Sequence, residues 1–178
     1  MHFYLTAFAL FPHLLNFAYG LSVRASKTTA PPISYGMVLY PNFEPADVFG
    51  PLDIFGLLSS DYRMRLSLIA ATLDPVSTKP TVMNLSGSDF GESIVPTHTF
   101  STPPEDIEVL FVPGGGGTRS DAFIGPAIGF VGRMYPKLKY LITVCNGATI
   151  GARSGVLDGR RATTSKRDWA WVSSWPRF

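Results

Sequence analysis

Leu141-Ile142-Thr143-Val144-Cys145-Asn146-Gly147-Ala148 decides the fold. An apolar stretch of strand length ends on a nucleophile-type residue, and a glycine two residues on permits a tight turn into a short helix. This is the pattern of a nucleophile elbow with cysteine in place of serine. In an open α/β sheet such a turn projects the side chain from the carboxyl ends of the strands, where ligands bind. The amides opening the following helix point at the sulfur and favour the thiolate. The competing reading is a buried, inert cysteine, a common fate of that residue.

Working outward, residues 138–144 form an apolar strand, and residues 147–154 a short helix closed by Gly155. Upstream, Ile124, Ile128, Val131 and Tyr135 recur at helical spacing, which predicts an amphipathic helix over 121–135. Residues 106–112 (DIEVLFV) read as a buried strand running into Pro113 and four glycines. Residues 75–92, rich in Ser, Thr, Gly and Pro, predict turns or short edge strands, and 65–72 (RLSLIAAT) a further strand. The first strand falls at 33–40 and is followed by a helix over 48–58, in which Pro51 fits only in the first turn. Downstream, 161–164 predicts a brief strand and 165–174 a helix capped by Ser165. Strands alternating with helices predict an α/β fold, a doubly wound, mostly parallel sheet with helices on both faces.

Three segments carry candidate chemistry. Cys145 is the candidate nucleophile. Gly114-Gly115-Gly116-Gly117 let backbone N–H groups approach a ligand and offer half of an oxyanion hole. They lack the Lys-Ser/Thr pair of a phosphate loop, and a plain flexible turn is the alternative. Asp47 follows the first strand, where parallel strand ends converge, and is placed to act as general acid/base beside Cys145 or simply to cap its helix. His98, in a loop-like stretch, reads as a structural or surface histidine. Arg160, Arg161, Lys166 and Arg167 read as a solvated basic face, and Trp171 and Trp175 as packing residues.

Together FEPADVFGPLDIF, DIEVLFVPGGGG and LITVCNGATIGARSGVLDGRRATT resemble the ThiJ/PfpI family in order and spacing. The resemblance spans about residues 33–171, and the isonitrile-hydratase-like members are the most similar branch. It implies a flavodoxin-like fold of the class I glutamine amidotransferase-like superfamily and a homodimer. It implies Cys145 as the elbow nucleophile, Asp47 as the acid beside it, and backbone amides near Gly115 and Asn146 completing the pocket. It implies a small-molecule substrate, an electrophile such as an isonitrile. Where many relatives carry histidine after Ala-Thr-Thr, this chain has Ser165 and Lys166. The chain also stops at Phe178, short of the family's usual extent, so a domain lacking its last elements is expected.

The bulk numbers set bounds. At 178 residues, 46% of them apolar, the chain holds one domain with a real core. A net charge of +2 gives no nucleic-acid footprint, and a lone cysteine excludes an intrachain disulfide and cysteine-rich zinc motifs. Nothing in the sequence implies a metal, nucleotide or flavin cofactor. Residues 1–20 read as a secretory signal peptide without the usual basic start, 21–32 as a linker and 33–178 as the domain. A secreted location follows from that leader, and a cytoplasmic one if the leader is a mispredicted start. A free reactive thiol suits the cytosol better. Three functional readings stand: a cysteine-dependent hydratase of small electrophiles, a non-catalytic redox-sensing or binding module, and an inactive remnant.

Overall fold

Strands and helices alternate in the computed structural model, which describes residues 30–175. The expected secretory leader and most of the expected linker lie outside the described residues. In chain order the elements are β1 (Ser34–Val38), α1 (Pro45–Leu58), β2 (Arg65–Ala70), β3 (Val76–Ser77), β4 (Ser93–Ile94) and β5 (His98–Thr99). They continue as β6 (Val109–Val112), α2 (Asp121–Met134), β7 (Tyr140–Thr143), α3 (Ala148–Arg153) and α4 (Trp169–Val172).

The main sheet has the order β5-β2-β1-β6-β7, and all its described pairings are parallel. Ser34 lies opposite Arg65, Tyr35 opposite Val109, and Val112 opposite Thr143. The chain runs from β1 outward to β2, then returns to the other side of β1 with β6. The order therefore reverses between β1 and β6, where a doubly wound sheet opens its ligand crevice. The Ser/Thr/Pro-rich region supplies β3 and β4, a separate antiparallel pair.

Register puts Tyr35, Met37, Phe111 and Ile142 on one face of the sheet. Helix α1 covers part of that face through Phe55, whose ring lies 5.0 Å from Tyr35 and 5.5 Å from Phe111. On the other face, Gly151 of α3 faces the Thr143 side chain, and α2 buries Ile124, Ala127, Phe130, Val131 and Met134. The largest buried side chains include Tyr40, Phe43, Phe130, Met37 and Leu39.

Several boundaries differ from the sequence reading: β1, β2 and β6 are each shorter than expected, and four further differences have a physical reason. Helix α1 begins at Pro45, three residues early, so Pro51 lies inside it rather than in the first turn. Pro45 occupies a starting position where its missing N–H costs nothing, whereas Pro51 gives up a bond to the Asp47 carbonyl. The last strand starts at Tyr140, not Leu138, because a 3₁₀ turn over Tyr135–Lys137 extends the end of α2. Residues 161–164 form no strand and pair with none of the described strands. The helix expected over 165–174 is split into a 3₁₀ turn, Lys166–Asp168, and the single turn α4. Ser165 precedes it but makes no side-chain cap to the backbone; its hydroxyl donates to Asp168 Oδ2 at 3.0 Å.

Candidate active site

Three loops leave the carboxyl ends of β1, β6 and β7 and interlock. The third holds Cys145, which is exposed and has φ 54°, in the left-handed region. That conformation costs a side-chain-bearing residue about 1–2 kcal/mol and persists only where its surroundings enforce it. Gly147 supplies part of the enforcement. A Cβ there would lie 2.4 Å from the Val112 carbonyl oxygen and 2.5 Å from that of Pro113, so only glycine lets the elbow press against the end of β6. Val144 N–H donates to the Val112 carbonyl at 2.9 Å, Gly147 N–H to that of Val144 at 2.9 Å, and the Thr164 hydroxyl to that of Cys145 at 3.0 Å.

The glycine run packs on the loop after β1. Gly115 has φ 132°, and a Cβ there would meet Glu44 N at 2.5 Å. Gly117 N–H donates to the Asn42 carbonyl and Glu44 N–H to that of Gly114, both at 2.9 Å. This is a built loop rather than a plain flexible turn.

Asp47 does not cap its helix. Its Oδ2 accepts the Gly114 N–H at 2.9 Å, reaching across from α1 to the β6 loop. Gly114 sits between the Asp47 carboxylate and Asn146: a Cβ there would lie 2.9 Å from Asp47 Oδ2 and 3.0 Å from Asn146 N. Among the described residues no hydrogen bond joins Asp47 to the Cys145 sulfur, and Asp47 Oδ1 is not engaged. Burial pushes the half-buried Asp47 carboxyl above its ordinary value, while the Gly114 amide pulls it down. Tyr40 is buried within reach of the charges of both groups. Burial, then the charges of Asp47 and Cys145, hold its phenol well above the ordinary range, and its hydroxyl donates to the Pro113 carbonyl at 2.6 Å.

The two backbone positions expected to complete the pocket fare differently. The Gly115 N–H is spent on Asn146 Oδ1 at 2.8 Å, so it is not a free oxyanion donor. The Asn146 N–H lies in the opening turn of a 3₁₀ helix, Cys145–Gly147, where it has no intrahelical acceptor. Of the two amides, only that of Asn146, which follows Cys145 directly in the chain, is left without an acceptor in its own turn.

His98 sits in β5, at the sheet edge opposite β7, with Nδ1 2.8 Å from the Thr97 hydroxyl. It cannot pair with Cys145. Arg160, Arg161, Lys166 and Arg167 are all exposed. Trp171 and Trp175 are covered on their faces by Arg119, at 4.1 Å, and Arg153, at 4.7 Å. A cavity of about 200 Å³ lined by Tyr35, Leu52, Phe55, Met64, Leu66 and Phe111 opens near the amino ends of β1 and β2, away from this chemistry.

Sequence reasoning missed Asp168, Arg119, Tyr40 and Thr164. Asp168 was hidden in the basic stretch, although Ser165-Lys166-Arg167-Asp168 has the spacing of a capping box. A lone acid three residues after a serine, among four cations, was the available signal.

Comparison with known proteins places this geometry. The DJ-1/PfpI family model matches residues 36–168. An isonitrile hydratase of Pseudomonas putida is 28% identical over 139 residues, covering 78% of this chain and 54% of that protein. An uncharacterised protein of Streptomyces lividans is 32% identical over 130 residues, covering 72% of this chain and 80% of that one. The crystal structure of a ThiJ/PfpI family protein from Pseudomonas syringae matches with TM-score 0.58 and 31% identity, covering 85% of this chain and 57% of that one. The chain thus spans just over half the length of the isonitrile hydratase and of the Pseudomonas syringae protein.

Proposed function

The chain belongs to the DJ-1/PfpI family, and from that premise we propose that it is a cysteine-dependent hydratase of small electrophiles, with isonitriles the first class to test. The observation that carries the reading is Cys145, exposed on a strained elbow next to Asn146, with Gly114 alone between Asn146 and the half-buried Asp47 carboxyl. The similarity to an isonitrile hydratase supports the choice of substrate class.

In this reading the Cys145 thiolate attacks the terminal carbon of R–N≡C. The same carbon takes a proton from the Asp47 carboxyl, which gives a thioimidate, R–N=CH–S–Cys145. Raising the Asp47 carboxyl above its ordinary value favours the protonated form that this step needs. Water then adds to the C=N carbon: the Asp47 carboxylate accepts one of its protons, and the second passes to the imine nitrogen. Collapse expels the thiolate and releases the N-substituted formamide, R–NH–CHO. The Asn146 N–H steadies the charge that develops at the reacting centre. No group beyond these side chains and water enters the balance.

The test is turnover of an isonitrile to its formamide by the purified chain. Cys145→Ala is expected to remove it, a loss of about 10⁴-fold or more for a covalent nucleophile. Turnover unchanged by Cys145→Ala rules the mechanism out. The exposure of Cys145 favours one second reading, oxidation of the thiol to a sulfenic or sulfinic acid without turnover. Peroxide-treated protein with no mass gain at Cys145 removes that option.

A further inference from the structure

Asp168 is buried, yet it lies in none of the three loops that build the site. Its Oδ1 accepts from Arg119 Nη2 at 2.6 Å, and Arg119 ends the 3₁₀ turn of the glycine loop, Gly116–Arg119. Its Oδ2 accepts from Asn146 Nδ2 at 3.2 Å and from the Ser165 hydroxyl at 3.0 Å. One carboxylate therefore ties the glycine loop, the elbow and the segment before α4 together. Arg119 also lies over Trp171, so the segment beyond Asp168 is held from two sides.

We propose that Asp168 is a positioning residue that fixes the Asn146 carboxamide in one orientation and, through it, the Gly115 amide and the backbone N–H beside the Cys145 sulfur. The chemistry of the donors requires this. An ionised carboxylate only accepts hydrogen bonds, so Asn146 must turn its NH₂ toward Asp168. Its Oδ1 then faces the other way, where it accepts the Gly115 N–H at 2.8 Å. Asn146 is also the residue that follows the nucleophile, so locking its side chain locks the amide next to the sulfur. Arg119 balances the buried charge. Replacing the carboxylate with a carboxamide breaks this arrangement: Arg119 only donates and takes the new oxygen, so the new NH₂ faces Asn146 and competes with the Gly115 N–H for its Oδ1.

The catalytic part of the proposal rests on Cys145 acting as nucleophile, and the test separates the two. Amide hydrogen exchange at Gly115 reads the relay without any reaction, and isonitrile turnover reads its consequence. Asp168→Asn is expected to speed Gly115 exchange and to lower kcat by about 10–100-fold with little change in KM, the loss typical of a hydrogen bond to a charged group. The exchanged pair Asn146→Asp with Asp168→Asn restores the donor–acceptor matches: the new carboxylate accepts from Gly115 and from the new carboxamide, whose oxygen accepts from Arg119, and the Ser165 hydroxyl turns to accept from the carboxamide nitrogen. It is expected to recover Gly115 protection and most of kcat. Unchanged Gly115 exchange in Asp168→Asn overturns the relay, and so does an exchanged pair no better protected than the single variant. If wild type turns over no isonitrile, the hydratase reading fails and the exchange comparison still decides the relay. If Asp168→Asn does not fold, a folded and protected exchanged pair supports the relay, and an unfolded one overturns it.

Discussion

β6 and β7 lie side by side in register, Val112 opposite Thr143, and are held by different means. All four residues of β6 are buried, whereas β7 alternates exposed and half-buried positions, with Tyr140 and Ile142 open to solvent. Both strands end in the site, β6 in the glycine loop and β7 in Cys145. The loop after β6 is thus aimed by a strand fixed through packing. Cys145 rides on the less buried strand and takes its placement from contacts made after the strand ends, at Val112, Pro113, Thr164 and Asn146.

The largest effect should separate the strands by packing alone. Leu110 of β6 is fully buried, and Leu110→Ala is expected to cost about 2–5 kcal/mol of unfolding free energy. Ile142→Ala in β7 removes a comparable side chain that is 38% exposed and is expected to cost about 1 kcal/mol or less. Urea denaturation of both variants checks the contrast. Equal losses would break the comparison, because β7 would then be anchored as firmly as β6.

The next effect tests the elbow's own support. In Gly147→Ala the added methyl meets two backbone carbonyl oxygens that cannot swing aside. A loss of about 1–3 kcal/mol is expected, the usual range for overpacking, together with slower formamide production as Cys145 is displaced. Stability and rate both at wild-type level would mean the elbow is not pressed on β6 as described.

The same contrast explains what could be read in the sequence. The alternation of strands and helices was legible because long apolar runs and helical periodicity are local signals. So was the elbow, since Cys-Asn-Gly after an apolar strand has few other uses. Asp47 was found by position, but its partner was not: a bond from its carboxylate to Gly114 spans 67 residues and leaves no local pattern. Gly115 was read as a free donor because a glycine run looks open, and only the fold shows its amide spent on Asn146. Asp168 was missed for the same reason. Its partners Arg119 and Asn146 lie 49 and 22 residues away, and its neighbours in sequence are cations on the solvent side.

The smallest effect sharpens the comparison without touching either strand. Asp47 binds Gly114 just beyond β6, and burial raises its carboxyl from 3.8 in the folded state. The unfolded chain ionises first as pH rises, so across that window the folded state carries more protons. Stability must then fall as pH climbs from the unfolded value through the folded one, and stay lowered above it. Asp47→Asn keeps an oxygen for the Gly114 N–H and loses the titration. Its urea midpoint, relative to wild type, is expected to rise as pH climbs from the unfolded value through the raised folded one and then level off. The shift should be modest, because the side chain is half in water and solvent screens it. Parallel midpoints across that range would mean the Gly114 bond offsets the cost of burial in full. Asp47 would then be an ordinary carboxylate tethering the glycine loop, and the proton for the isonitrile carbon would have to come from water.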